Sequence, residues 1–298
     1  MKPRMILKTV MIWMAIFLAG VVQAGDKILK MSTTTSTQAS GLLDVLLPEW
    51  EKDTGIAVKV IAKGTGAAIR DGMDGNVDAI FVHARSREER FIRQGYGTRR
   101  YGVMHNDFII LGPPDDPATI KGVNDAAAAL KKIAAAKVLF ISRGDDSGTH
   151  IREQALWEST GLPLENDTQV VIKKGKQRQL SFLHPQGLGQ WYLSIGQGMG
   201  KTIMFADEKN AYILADRGTY IKYKYGRDVS MDLTVLFEGG PELANPYGFI
   251  PVNPEKHPHV RYNLAEEFAQ WLVSERGQSL IRNYRLLGKQ LFYPDAIK

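Results

Sequence analysis

Three times along this chain an apolar or alternating segment runs into a short turn of hydroxyl and glycine residues, and a helical period follows at once. Ile28 to Thr33 (ILKMST) alternates apolar and polar residues. The hydroxyl run Thr34 to Ser40 comes next, broken only by Gln38 and Ala39, and Leu42, Leu43, Leu46, Leu47 and Trp50 then recur at helical spacing over Gly41 to Asp53. Gly55 to Ile61 (GIAVKVI) leads into Gly64-Thr65-Gly66 and helix-like residues from Ala67 to Met73. Val138 to Ile141 leads into SRGDDSGTH, Ser142 to His150, and a helical run from Ile151 to Thr160. Repetition of strand, polar turn and helix is the pattern of a parallel α/β sheet, whose ligands gather at the carboxyl ends of the strands.

Further elements extend the pattern. Val77 to Val82 is a buried strand ending at His83, and Met104 to Gly112 is an apolar strand ahead of Pro113-Pro114-Asp115-Asp116-Pro117, a break expected to cross into a second lobe. Asp125 to Ala136 is an Ala-rich helix, Leu164 to Ile172 contains a short strand, and Ala206 to Ala215 reads as a helix before a strand start at Asp216 to Tyr220. Leu233 to Phe237 and Tyr247 to Val252 are strands flanking Pro241 and Pro246, which suits a second crossover. Leu264 to Leu272 and Gly277 to Leu287 close the chain as amphipathic helices.

The turns carry the chemistry. A loop between strand and helix leaves free backbone N–H groups at the positive end of a helix dipole, which favours anions. In SRGDDSGTH, Arg143 adds a planar guanidinium, Ser147 and Thr149 add hydroxyls, and Gly148 lets the backbone approach closely. Asp145 and Asp146 argue against a simple phosphate cradle and are expected to cap the helix or orient Arg143. His83 stands at a strand end, where a structural hydrogen-bonding role is expected ahead of ligand contact.

Composition narrows the class. Lys2, Arg4 and Lys8 precede an apolar run, Val10 to Val22, and Val22-Gln23-Ala24 ends it with small residues, so residues 1–24 read as a secretory signal peptide cut at Ala24|Gly25. The cysteine count is zero, which removes a lipidated N-terminal Cys, disulfides and Cys-ligated metals. The expectation is a periplasmic protein without a lipid anchor, its remaining residues suiting two medium lobes. Of the formal net charge of +6, three basic residues belong to the signal. The rest is spread along the chain, which opposes a nucleic-acid partner.

Other chemistries fare poorly. Gly198-Met199-Gly200-Lys201-Thr202 resembles a Walker loop, but Ile195 stands where its first glycine belongs and no buried strand is read ahead of it. A serine hydrolase built on Ser147, His150 and an aspartate lacks the G-x-S-x-G elbow. His257 and His259, separated by Pro258, lack the carboxylate–histidine array of a cation site and read as surface loop residues. The reading that survives is a non-enzymatic anion binder closing two lobes over its ligand.

STTTSTQASGLLDVLLPEWEKDTG, KGTGAAIRDG, VDAIFVHA, SRGDDSGTH, GQGMGKT, DRGTY and NPYGFIPVNP, in this order, resemble the tungstate-binding component of an ABC importer, the TupA family, over roughly Ile28 to Pro294. The resemblance implies a type II periplasmic-binding-protein fold with two α/β lobes, a ligand cleft and two crossover strands. Lobe I would be 25–115 plus 246–298, and lobe II 116–245. It implies no cofactor and no metal–side-chain bond, the tungstate being held as an intact dianion. Thr34, Thr35, Ser36 and Thr65 would donate from lobe I, and Arg143, Ser147, Gly148 and Thr149 from lobe II. The partners implied are the oxyanion and ABC permease subunits, with the binding protein itself a monomer. Molybdate, and less well phosphate or sulfate, is the alternative ligand.

Overall fold

The computed structural model describes residues 27–173, 176–187, 190–228 and 230–296; the expected signal peptide, 1–24, lies outside the described residues. The chain is a mixed α/β fold. Strand β1 (Ile28–Thr34) runs into the short Thr35–Ser40 helix and then the Leu43–Thr54 helix. Next come β2 (Ala57–Lys63), the Thr65–Met73 helix, β3 (Ala79–Val82), the Arg85–Arg93 helix and the long β4 (Tyr101–Gly112). The Ala126–Ala136 helix, β5 (Phe140–Ser142) and the Gly148–Ser159 helix precede a hairpin, β6 (Leu164–Lys173) and β7 (Lys176–Pro185). Then follow β8 (Tyr192–Ser194), the Met199–Glu208 helix, β9 (Tyr212–Asp216), the Arg217–Tyr225 helix, β10 (Thr234–Phe237) and β11 (Ala244–Pro251). Two helices, Tyr262–Val273 and Glu275–Asn283, and the two-residue strands β12 (Arg285–Leu286), β13 (Lys289–Gln290) and β14 (Tyr293–Pro294) end the chain.

The main sheet has ten strands in the order β2-β1-β3-β11-β4-β9-β5-β8, with β10 and β14 also on β4. The pairs β1–β2 and β1–β3 are parallel, as are β5–β8 and β5–β9, while β11–β3, β11–β4 and β4–β9 are antiparallel. Those antiparallel joints turn the two parallel halves head to head. Val82, the last residue of β3, is opposite Gly248 of β11, and β11 in turn pairs along β4 as far as Ala244 opposite Asp107. From the other side Asp216, the last residue of β9, is opposite Phe108. The carboxyl ends of both parallel sets therefore face the same middle stretch of β4.

Buried side chains divide along β4 in the same way. Tyr101, Val103 and Met104 pack with Leu29, Met31, Trp50, Phe249 and Phe268, whereas Phe108 and Ile110 pack with Phe140, Trp157 and Tyr212. Ile109 and Leu111 pack in a third cluster with Ile203 and Ile213, and helix Arg217–Tyr225 joins it to the first group: its Tyr220 lies in the third cluster and the next residue, Ile221, in the Leu29–Trp50 core.

Three sequence expectations need correction. Ala206 to Ala215 is not one helix: YILAD of β9 is an almost wholly buried central strand. An unbroken apolar run there satisfies a strand buried on both faces as well as a helix period does. Asp216 opens a helix rather than a strand, its carboxylate accepting the Thr219 N–H at 2.8 Å. The short strand expected over Leu164 to Ile172 is one arm of a ten-residue-per-strand hairpin whose second arm, β7, buries Phe182 and His184 on alternate positions. The Walker reading stays excluded: β8, ahead of Gly198, buries only Tyr192 of its three residues, Ile195 stands where the first glycine belongs, and Thr202 spends its hydroxyl on the carbonyls of Gln197 and Gly198.

Trp50 is fully buried and packs edge-on to both Phe268 and Trp271, at centroid distances of 5.0 and 5.7 Å. Trp50→Ala should lower the unfolding free energy by about 3–5 kcal/mol, read from chemical denaturation, because truncating a buried Trp loses transfer energy and leaves a cavity.

Candidate functional site

Thr34 ends β1 and caps the Thr35–Ser40 helix: its Oγ1 accepts the Thr37 N–H at 3.1 Å. It sits in a hydroxyl cluster, 2.6 Å from Thr37 Oγ1 and 3.0 Å from Ser36 Oγ. Thr34 is buried, while Thr35 and Ser36 are exposed. One strand over, Gly64 caps the Thr65–Met73 helix, and Thr65 opens it half-buried. The first amides of a helix have no intrahelical acceptor, so Thr35, Ser36, Thr65 and Gly66 present N–H groups beyond the ends of β1 and β2.

The loop after β5 is built differently. Ser147 caps the Gly148–Ser159 helix, its Oγ accepting the His150 N–H at 3.3 Å, which leaves the amides of Gly148 and Thr149 unclaimed within the helix. Asp145 does both of the jobs expected of the acidic pair. Its Oδ2 takes an Arg143 Nη2–H at 2.6 Å and its Oδ1 accepts the Ser147 N–H at 3.3 Å. Arg143 Nη1 donates to Thr149 Oγ1 at 3.3 Å, and the buried Nε has no partner. Gly144 is required: at φ 55° it faces Ser194 Oγ and Gln169 Nε2, and a Cβ there would lie 1.9 Å and 2.2 Å from them. Gln169 Nε2 also bonds the Gly144 carbonyl at 2.5 Å, so the hairpin holds the loop from behind.

The structure thus brings Thr34 together with Ser36, and Arg143 with Ser147 and Thr149, as two separately bonded groups on opposite sides of β4. No side-chain hydrogen bond links Thr34, Thr35, Ser36 or Thr65 to Arg143, Ser147 or Thr149 among the described residues. His83 has the structural hydrogen-bonding role expected of it. Its Nε2 lies 3.2 Å from Thr34 Oγ1 and 3.1 Å from Ser36 Oγ, its Nδ1 lies 3.2 Å from Asn245 Oδ1, and it stacks on Tyr247 at 4.6 Å. Asn245 and Asn106, which complete that chain, carry no local sequence signal, because only the pairing of β11 with β4 brings them together.

Two of the arginines in this region are compensated: Arg143 is paired with Asp145, and Arg217 is held by both Asp107 oxygens and by Glu238. A third, half-buried Arg87, stands beside the Thr65–Gly66 turn, its Nη1 3.8 Å from where a Cβ on Gly66 would lie. Together with neutral amides and hydroxyls, it suits an anion desolvated between the two groups. The hydrolase arrangement is absent: the His150 ring bonds the Asp146 amide through Nδ1 instead of the Ser147 hydroxyl. His257 and His259 bind the carbonyls of Met73 and Gly75, and no group of three or more His, Asp or Glu able to hold a metal occurs among the described residues.

Beneath the loop, Glu153 is buried and accepts from Ser142 at 2.9 Å and Tyr192 at 2.9 Å. Burial pushes its carboxyl up to about 7 against those two donors, from an ordinary 4.5. A raised carboxyl keeps its proton in the folded state after the unfolded chain has lost it. Its contribution to stability is therefore full below about 4.5 and is lost as pH rises towards about 7. Glu153→Gln should flatten the pH dependence of the denaturation midpoint across that window relative to the wild type.

A family profile described as "PBP superfamily domain" matches residues 21–276. The tungstate-binding protein TupA of Peptoclostridium acidaminophilum is 44% identical over 272 residues, covering 90% of this chain and 86% of that relative. The protein of the same name from Campylobacter jejuni is 38% identical over 261 residues, covering 88% of each. Among solved structures, the tungstate-binding protein TupA from Desulfovibrio alaskensis G20 superposes with a TM-score of 0.81 at 43% identity, covering 91% of this chain and 99% of that one.

Proposed function

Because this chain belongs to the TupA family of periplasmic-binding-protein-like domains, we propose that it captures the tungstate oxyanion between two lobes and delivers it to an ABC importer. The observation that carries the reading is the pair of donor-rich turns at strand ends, Thr34 to Ser36 with Thr65, and Ser147 to Thr149 with Arg143, approaching β4 from opposite sides. A tetrahedral dianion taken out of water needs each oxygen hydrogen-bonded, since an unpaired one costs several kcal/mol. Neutral N–H and O–H donors supply this without bringing in competing acceptors.

On this reading lobe I comprises 25–115 plus 246–298 and lobe II comprises 116–245. The open form takes the ion on one lobe, and closure brings the other lobe's donors onto it. The protein would act as a periplasmic monomer, exported by its 1–24 signal, with the permease as its partner and no chemistry of its own. No helix among the described residues is long and apolar enough to cross a membrane. Molybdate, of the same charge and shape, is the competing ligand.

Isothermal titration with tungstate, molybdate, sulfate and phosphate in turn tests this. Tight tungstate binding with rejection of sulfate and phosphate is the expected result; preference for phosphate or sulfate would overturn the ligand assignment. Arg143→Ala should weaken tungstate binding by about 2–5 kcal/mol, since it removes a cation from beside the dianion. An unchanged affinity would remove Arg143 from the site.

A further inference from the structure

His83 stands outside the donor set proposed above, yet one nitrogen of its ring meets that set and the other meets Asn245. Asn245 fixes the ring's proton. The Asn245 Nδ2 donates to Asn106 Oδ1 at 2.7 Å, which turns the Asn245 Oδ1 toward His83 Nδ1 at 3.2 Å. An amide oxygen only accepts, so Nδ1 carries the proton and Nε2 is left with a bare lone pair. That lone pair lies 3.1 Å from Ser36 Oγ and 3.2 Å from Thr34 Oγ1, and it accepts a hydrogen bond from one of these hydroxyls. A hydroxyl spent on the ring has no proton left for an incoming oxyanion.

We propose that His83 is a positioning residue that sets the direction of the Thr34 and Ser36 hydroxyl protons, so that capture of the tungstate dianion draws one proton from solvent onto His83 Nε2. The proposal rests on the oxyanion reading of this site. With Nε2 protonated, the ring donates to the cluster, the hydroxyl protons turn outward, and the half-site becomes donors only, backed by a positive charge. The proton comes from bulk buffer and adds to the Nε2 lone pair; no covalent bond breaks.

The surroundings support a ring that is neutral until the anion arrives. Burial holds the imidazole below its ordinary range, and the opposing pull comes from Asn245 and from the Asp216 carboxylate. Tyr247, stacked on the ring, has its phenol pushed up by burial and stays neutral. Glu88, on the helix that follows, is engaged by the Ala84 amide and by Arg100. Arg217, beside Asp216, is held by Asp107 and Glu238. A dianion at the hydroxyl cluster supplies the counter-charge that these groups do not.

The test is calorimetric titration of the protein, freed of bound anion, with sodium tungstate at about pH 7.5 in buffers of different ionisation enthalpy. The wild type should take up as much as about one proton per tungstate, its affinity falling up to about tenfold per pH unit above neutrality. His83→Gln should show no uptake and a flat pH profile. A wild-type heat that does not vary with buffer, or equal uptake in His83→Gln, would overturn the proposal while leaving the oxyanion reading intact. If the variant fails to fold, the wild-type imidazole titration followed by NMR decides. An upward move of about one unit or more on saturation with tungstate supports the proposal, and an unmoved titration overturns it. Failure of the wild type to bind tungstate at all would overturn the underlying reading and the proposal with it.

Discussion

The arrangement depends on a single twelve-residue strand, β4, that belongs to three hydrophobic clusters at once. Its first residues are buried against one set of strands and helices and its later residues against the other. Because β11 and β9 both pair with it antiparallel, the two parallel sets are forced to oppose each other. Every polar turn discussed here sits where it does because of that pairing. Loops at the carboxyl ends of two sheets facing the same strand have little choice but to face each other.

That geometry explains the chemistry on offer. A cleft lined by free cations would attract many anions and hold them by charge alone, with weak discrimination. Here Arg143 is already paired with Asp145 and Arg217 with Asp107 and Glu238, while Arg87 lies beside the Gly66 turn. On the oxyanion reading, discrimination then falls largely to directional N–H and O–H groups, whose positions are set by helix caps at Thr34, Gly64 and Ser147. Directional donors reward the correct size and shape of the ion.

Much of this was legible in the sequence, and what was not has a common cause. The strand–turn–helix units at Thr34, Thr65 and Ser147 are local patterns: caps, glycines and hydrophobic periods lie within a dozen residues of one another. The fold class followed from their repetition. The misread segment around Ala206 to Asp216 was also local but ambiguous, since an apolar run buried on all sides has no period to betray it. The chain from His83 through Asn245 to Asn106 is another matter. It spans 162 residues between its first two members, and no spacing rule connects them. Only the register of β11 on β4 makes those side chains neighbours.

One helix sets terms on how the molecule can flex. In Arg217–Tyr225, Tyr220 is seated in the Ile203–Ile213 cluster and its neighbour Ile221 in the Leu29–Trp50 core, while Lys222 reaches the Ala39 carbonyl at the end of the Thr35–Ser40 helix. Sliding one half past the other would drag Ile221 out of its socket, at a loss of about 2 kcal/mol for that side chain alone. A pivot close to the helix would leave both seats filled. On the two-lobe reading the helix would then be a fulcrum, with the jaws swinging on it instead of shearing.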